Sequence, residues 1–501
     1  MDAFTTGATS LDWADTFWKL PADYAAQIEP EPLSSPRMLH FNRPLAGHIG
    51  LPADAADDAR WLSLLSGNTR RLERTPLATV YAGHQFGHFV PQLGDGRALL
   101  LGQVRNAEGE LFELQLKGAG KTPFSRFADG RAVLRSSLRE YLCSEAMHGL
   151  GVPTTRALSL VGSPDPVQRE TVETAAVVCR VAPSFVRFGH FEFFYYHQRH
   201  ALLAPLADHI IAHHFPSLPE AHAEPSARYA AWLGEVIERT ARMVAQWQTV
   251  GFCHGVMNTD NFSILGLTID YGPFGFLDGF RSGHICNHSD EAGRYAYEQQ
   301  PRIGYWNCSK LLQATLPLLH DTPEAAVEMA QALLARYPSV YAETVLAAWR
   351  AKLGLAQALD GDRDLVNGLL NILDRGANDF TRSFRGLSQV RTDSGAPPPI
   401  RDEITDLDAF DAWLGEYRTR LRSENSVDAE RAPRTNALNP CYVLRNHLAQ
   451  NAIGLAEHGE YTEIDTLMRL LADPFVERPD AGHYAAAPPP GAEQVEVSCS
   501  S

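Results

Sequence analysis

The hydrophobic period of this 501-residue chain changes part-way along it, and that change limits what the chain can fold into. At residues 111–117, Leu111, Phe112, Leu114 and Leu116 enclose Glu113 and Gln115 in the alternation of a half-buried strand. From Thr75 to Val181 strand-like segments recur with one clear helix, and from about Phe193 to Ala377 the pattern is mostly helical. There Trp232, Leu233, Val236, Ile237, Thr240, Val244 and Trp247 fall at helical spacing. Strands followed by helices in one chain predict an α+β fold. The boundaries read as an irregular, proline-punctuated N-terminal extension (1–75), a β-rich part with one key helix (76–190), a helical part (191–390) and a C-terminal extension with a cysteine-containing tail (391–501).

A net charge of −16 argues against nucleic acid as the main partner, because phosphate-backbone binding shows as a basic domain or stripe. No apolar run approaches the ~20 residues of a membrane helix. The opening MDAFTTGATSLDWAD lacks both a basic region and an apolar stretch, so the expectation is a soluble, cytoplasmic protein. Seven scattered cysteines (Cys143, Cys179, Cys253, Cys286, Cys308, Cys441, Cys499) form no CxxC, which suggests neither a disulfide framework nor a zinc site.

LQLKGAGKT (114–122) looks at first like a phosphate-binding loop. It fails on spacing, since Gln115 stands where the first glycine belongs, and on context, since Pro123 and Gly130 interrupt the helix that should follow. What survives is a strand ending in Lys117. Stronger chemistry lies after the long helix, in GFCHGVMNTDNFSILGLTIDYGPFGFLD (251–278). The apolar FSILGLTI between Asn261 and Asp270 suggests a short hairpin that brings an amide oxygen and a carboxylate together, hard ligands suited to magnesium with nucleotide phosphates. Protein kinases use this layout, with a metal-binding Asn, a hairpin and then D-F-G, here Asp270-Tyr271-Gly272. The upstream parts follow in order: Gly94 and Gly96 in a glycine-rich turn, with Leu99 at the third glycine position, the strand lysine Lys117, and Glu140 on the helix VLRSSLREYLCSEAMHGLG as its ion-pair partner. One part is absent. Val256 occupies the position of the catalytic Asp, and the nearest carboxylate is Asp260, which leaves a dead kinase or a related reaction with a displaced base.

YAGHQFGHFVPQLGDGRA, LQLKGAGKTPFSRFADGRAVLRSSLREYL, CRVAPSFVRFGHFEFF, HGVMNTDNFSILGLTIDYGPFGFLD, NPCYVLRNH and the SCSS tail together resemble the selenoprotein O family over nearly the whole chain. The resemblance implies a pseudokinase-like, bilobal fold that binds ATP in an inverted orientation and transfers AMP, not phosphate, to Ser, Thr or Tyr hydroxyls of proteins, with pyrophosphate leaving. It implies that Arg180 and Arg187 neutralise the buried phosphates, and that Gly94, Gly96, Arg97, Lys117, Asp129 and Gly130 contact the nucleotide. Asn261 and Asp270 would carry Mg2+ or Mn2+, Asp260 would accept the proton, and Glu140 would pair with Lys117. It also implies a disulfide between Cys286 and Cys499 that ties the tail across the segment after DYG. Two other classes stay open: a phosphotransferase using Asp260 as a displaced base, and a silent ATP-binding scaffold.

Each residue taken alone has a plainer reading. Lys117 reads as a solvated strand end, Glu140 as an exposed helix face, and Asp129 with Gly130 as a turn. Arg131, Arg135 and Arg139, four residues apart, read as a solvated or acid-paired stripe. His209 and His213 lack the glutamate of a zinc hydrolase, Ile210 standing in its place. His84, His88 and His254 read as structural.

Overall fold

The computed structural model describes residues 11–71, 74–393 and 395–492. Its first half is a large antiparallel sheet and its second half is mostly helical, a mixed α/β arrangement. The strands are β1 (Asp12–Trp13), β2 (Ala25–Gln27), β3 (Arg37–Phe41), β4 (Leu77–Gln85), β5 (His88–Gly94), β6 (Ala98–Arg105), β7 (Leu111–Lys117), β8 (Ala132–Val133), β9 (Arg156–Gln168) and β10 (Val172–Ala182). They pair in the order β2-β4-β6-β7-β10-β9-β3, with β5 on β4, β1 on β6 and β8 on β10.

Two-residue alternation sorts the side chains of these strands onto two faces. Leu99 and Leu101 of β6, Leu114 and Leu116 of β7, and Val177, Cys179 and Val181 of β10 pack on the back face against Leu45, Ile49, Trp61, Leu64 and Leu65. The front face carries Val178 and Arg180 of β10, with Lys117 opposite Val178 and Gln115 opposite Arg180. The helix Leu134–Gly149 packs there through Leu138, Tyr141 and Leu142. Residues 11–71 are therefore less irregular than their prolines suggest. They supply β1, β2, β3 and the short helices Arg43–His48 and Ala59–Leu65, which cover the back of the sheet. Their strands are two to five residues long, too short to display an alternation in the sequence.

In the helical half, Pro225–Val250 buries all seven of its periodic residues named above. It stops at Gly251, whose φ of +71° is a left-handed conformation that suits glycine at a helix end. The chain then forms a small ladder, Phe252–Cys253 with Gly275–Phe276, which frames the Asn261 to Asp270 segment. That segment closes through a single antiparallel bridge, Phe262 with Thr268, in place of an extended hairpin, and Thr268 also bridges Thr154. In the C-terminal extension, helices Asn446–Glu457 and Thr462–Ala472 pack on the far side of Leu134–Gly149.

That last contact leaves no room for a side chain at the end of the helix. A Cβ at Gly149 would lie 1.9 Å from the Leu471 carbonyl oxygen. Gly149→Ala should therefore cost about 3 kcal/mol or more. Gly454→Ala, inside the helix Asn446–Glu457 with nothing within 4 Å, should be neutral or gain up to ~1 kcal/mol. Denaturant midpoints of the two variants check the contrast.

Candidate active site

The front of the sheet, the glycine-rich turn and the segment 256–273 enclose a cleft of about 570 Å³, within the range of small-molecule sites. β7 ends by aiming Lys117 into it. The Lys117 Nζ donates to Glu140 Oε2 at 2.5 Å and lies 3.7 Å from Asp270 Oδ1. Its side chain is 13% exposed, so it is no solvated strand end. Glu140 is likewise buried and not on an open helix face, because the sheet covers one side of its helix and the C-terminal helices cover the other. Arg180, from the next strand, bonds Glu140 Oε1 at 3.2 Å and also pairs with Asp270 and Gln115. Arg187, in the loop after β10, pairs with Asp270 and donates to the Asp260 carbonyl at 2.9 Å.

Asp270 is thus surrounded by three cations. Burial pushes its carboxyl up, yet Arg187, Arg180 and Lys117 outweigh this and hold it well below the usual carboxylate range. Its φ of +57° is unusual for a residue with a side chain, a strain found most often at functional positions. Asp260 has the opposite environment. Burial raises it to about 7, against the pull of Gln85 and Arg187. Gln85 donates to Asp260 Oδ2 at 3.2 Å, while Oδ1 is buried with no hydrogen-bond partner among the described residues. Carboxylates pushed apart in this way take different roles in one site.

Asn261 donates its amide N–H to the Val256 carbonyl at 3.0 Å, which orients its amide and leaves the oxygen as an acceptor. Among the described residues no three His, Cys, Asp or Glu side chains converge as a metal-binding group. The oxygen donors of Asn261 and Asp270 fit a hard cation that completes its shell with phosphate oxygens and water. Gly94, Gly96, Arg97 and Asp129 also line the cleft, and Gly130 follows Asp129. A Cβ at Gly94 would meet the Phe124 ring at 2.5 Å, so the turn lies tight on the loop that follows β7. Asp129 is more than a turn residue: it accepts from the Arg131 backbone and pairs with Arg169 at 2.8 Å. The arginine stripe divides. Arg135 pairs with Glu173 and Arg131 reaches the carbonyls of Glu31 and Pro32, whereas Arg139 is buried with backbone and amide partners. His254 accepts from the Val256 backbone and contacts the Ile269 carbonyl, and His84 pairs with Glu192 at 2.6 Å. Cys286 is buried against the carbonyls of Pro273 and Cys253, and Cys499 lies outside the described residues.

Three contributors were not singled out in the sequence. Asp95, between the two glycines, accepts from the Thr79 backbone and hydroxyl at 2.9 and 2.6 Å and pins the turn to β4. Gln85 holds Asp260, as above. Gly83 makes room for it, since a Cβ there would lie 2.5 Å from Asp260 Oδ1. The run YAGHQFGH carries two of the three and was the available signal.

The family model described as "Protein adenylyltransferase SelO" matches residues 8–472. The chain belongs to the SelO family. It is 57% identical to a protein nucleotidyltransferase YdiU of Methylococcus capsulatus, over 99% of this chain and 97% of that protein. Proteins of the same name from Myxococcus xanthus and Thioalkalivibrio sulfidiphilus are 51% and 52% identical, each over 98% of this chain and 99% of theirs. As a SelO-family member the chain is an enzyme of the nucleotidyltransferase class.

Asp260 gives the nucleotide-free protein a pH signature. Its folded pKa, about 7, lies above the ordinary carboxylate value, so the native state binds the extra proton and loses stability as pH rises from about 4 to 7. Asp260→Asn, uncharged throughout, should become more stable than the parent across that window by up to a few kcal/mol. Urea midpoints at pH 4.5 and 7.5 measure it, and equal differences at both would show an ordinary carboxylate. Gly83→Ala should displace Asp260 and cost about 1–3 kcal/mol at the unfolding midpoint, because its Cβ would also lie 2.9 Å from the Asp260 Cβ.

Proposed function

We propose that this SelO-family enzyme is a protein adenylyltransferase. It transfers AMP from ATP to Ser, Thr or Tyr hydroxyls of proteins and releases pyrophosphate, with ATP bound inverted in a kinase-like bilobal fold. The observation that carries the reading is the convergence of Arg180 and Arg187 on Asp270 beside the Lys117–Glu140 pair. Three cations meet two carboxylates there, and the buried positive excess suits the highly charged β- and γ-phosphates. With that end of ATP held deep, the α-phosphate faces Asp260. Val256, which stands where a kinase base would, lines the same cleft.

In this mechanism Lys117, Arg180 and Arg187 exchange part of their contact with Asp270 for phosphate oxygens. Magnesium or manganese, held by Asp270 and the Asn261 amide oxygen, would supply charge neutralisation on the phosphates. Arg97 and the backbone of Gly94 and Gly96 flank the nucleotide, and the Asp129–Gly130 turn closes the loop beside it. Asp260 accepts the proton of the acceptor hydroxyl. The freed oxygen bonds to the α-phosphorus as the bond to the β-phosphate oxygen breaks, and pyrophosphate leaves. A base with a pKa of about 7 is well matched to this work near neutral pH. Among the described residues no helix is long and apolar enough to cross a membrane, and a cytoplasmic protein with protein substrates is consistent with the reading.

ATP labelled on the α- or the γ-phosphate tests it. Label should be retained on protein only from the α position, should vanish in Asp270→Ala, and should fall about 10²- to 10⁴-fold in Asp260→Asn. Retention only from the γ position would make the protein a phosphotransferase with a displaced base. Retention from neither, with ATP still bound, would make it an ATP-binding scaffold.

A further inference from the structure

The segment NPCYVLRNH (439–447) takes no part in the chemistry above, yet it reaches the parts that do. Arg445, with a side chain 2% exposed, donates to Asp278 at 2.6 Å and to Asp379 at 2.9 Å. Asp278 follows Asp270 on the same segment, which is tied to residues 378–380 by Gly279 bridging Asp379 and by Phe280 donating to the Asn378 carbonyl at 2.8 Å. The next residue, Asn446, accepts from Arg139 Nη2 at 3.2 Å. That same nitrogen donates to the Phe274 carbonyl at 3.0 Å, and the Arg139 guanidinium lies 4.5 Å from the centre of the Phe274 ring. Arg139 immediately precedes Glu140, and Phe274 immediately follows the DYG-Pro turn that starts at Asp270. Asn446 also begins the helix that packs on the Glu140 helix, and its amide nitrogen would be 3.5 Å from a Cβ at Gly275.

The Glu140 helix and the Asp270 segment come from opposite sides of the cleft and are far apart in sequence. The carbonyl, the aromatic face and the amide together fix the orientation of the Arg139 guanidinium, and without the amide its Nη2 still has the Phe274 carbonyl, so orientation is lost at little cost in stability. The two halves of the ion-pair cluster are therefore braced by a third piece of chain.

We infer that Asn446 of the C-terminal extension, anchored through the neighbouring Arg445, is a positioning residue, which locks the Asp270 segment to the Glu140 helix through Arg139 and sets the geometry of the metal–nucleotide site. The inference rests on the proposal that Asp270 and Glu140 serve that site. It differs from a merely structural role in what a small truncation does: nucleotide binding changes before stability does.

The test compares the parent with Asn446→Ala, Asn446→Asp, Arg139→Lys and the Arg139→Lys/Asn446→Ala double variant. Three quantities are measured: calorimetric affinity for a non-hydrolysable ATP analogue with magnesium, KM and kcat for α-label transfer, and the urea midpoint. Asn446→Ala should weaken the analogue and raise the KM for ATP about tenfold, with a nearly unchanged midpoint. Asn446→Asp keeps the acceptor and should bind as the parent does. The double variant should be no worse than the weaker single one, because both remove the same link. The inference is overturned if Asn446→Ala binds the analogue like the parent, or if binding and midpoint fall together with Asn446→Asp no better. Transfer is scored separately. A parent that binds the analogue but transfers no α-label would sink the functional proposal, and the binding data would still decide this one.

Discussion

The charge cluster around Asp270 is the interaction on which the site depends. Lys117 at the end of β7, Arg180 on β10 and Arg187 in the loop beyond it reach one carboxylate, and Glu140 holds two of the three in place. Bringing so many ions out of water is expensive unless each finds a partner of good geometry. The sheet register meets that condition by setting Arg180 directly opposite Gln115, two residues before Lys117, so the cations emerge side by side on one face. The back face of the same strands packs apolar side chains against residues 11–71. Rigidity behind the sheet and the C-terminal helices behind Glu140 keep the cluster from relaxing toward solvent.

The cluster also explains why two carboxylates near one another in the sequence behave so differently. Asp270, ringed by cations, is held well below the usual carboxylate range and stays ionised, as its proposed role as a metal ligand needs. Asp260 is turned away toward Gly83 and Gln85 of β4 and is held near the pH at which a proton acceptor works best. The split is produced by folding, since the sequence places only nine residues between them.

Much of this site was legible from residue order alone. The strand pattern ending at Lys117 and the helix bearing Glu140 are local signals, and each lies where its period implied, whereas the hairpin expected between Asn261 and Asp270 is reduced to a single bridge. What stayed hidden depends on distant partners. Glu140 and Arg139 lie off the apolar face marked by Leu134, Leu138, Tyr141 and Leu142, so both look like solvent-facing charges, yet the helix is buried on nearly every side. Asp129 resembles a turn until Arg169, forty residues away, meets it. Gly83 looks like any strand glycine until the Asp260 side chain arrives from a segment 177 residues further on. The strands of the N-terminal extension escaped notice because each is shorter than the pattern needed to recognise it.

The most direct test of the central claim is a crystal structure with magnesium and a non-hydrolysable ATP analogue. The proposed mechanism predicts the γ-phosphate against Arg180 and Arg187, the metal on Asp270 and Asn261, and the α-phosphorus as the reactive centre nearest Asp260. A γ-phosphate nearest Asp260, with Arg180 and Arg187 still bound only to Asp270, would contradict it.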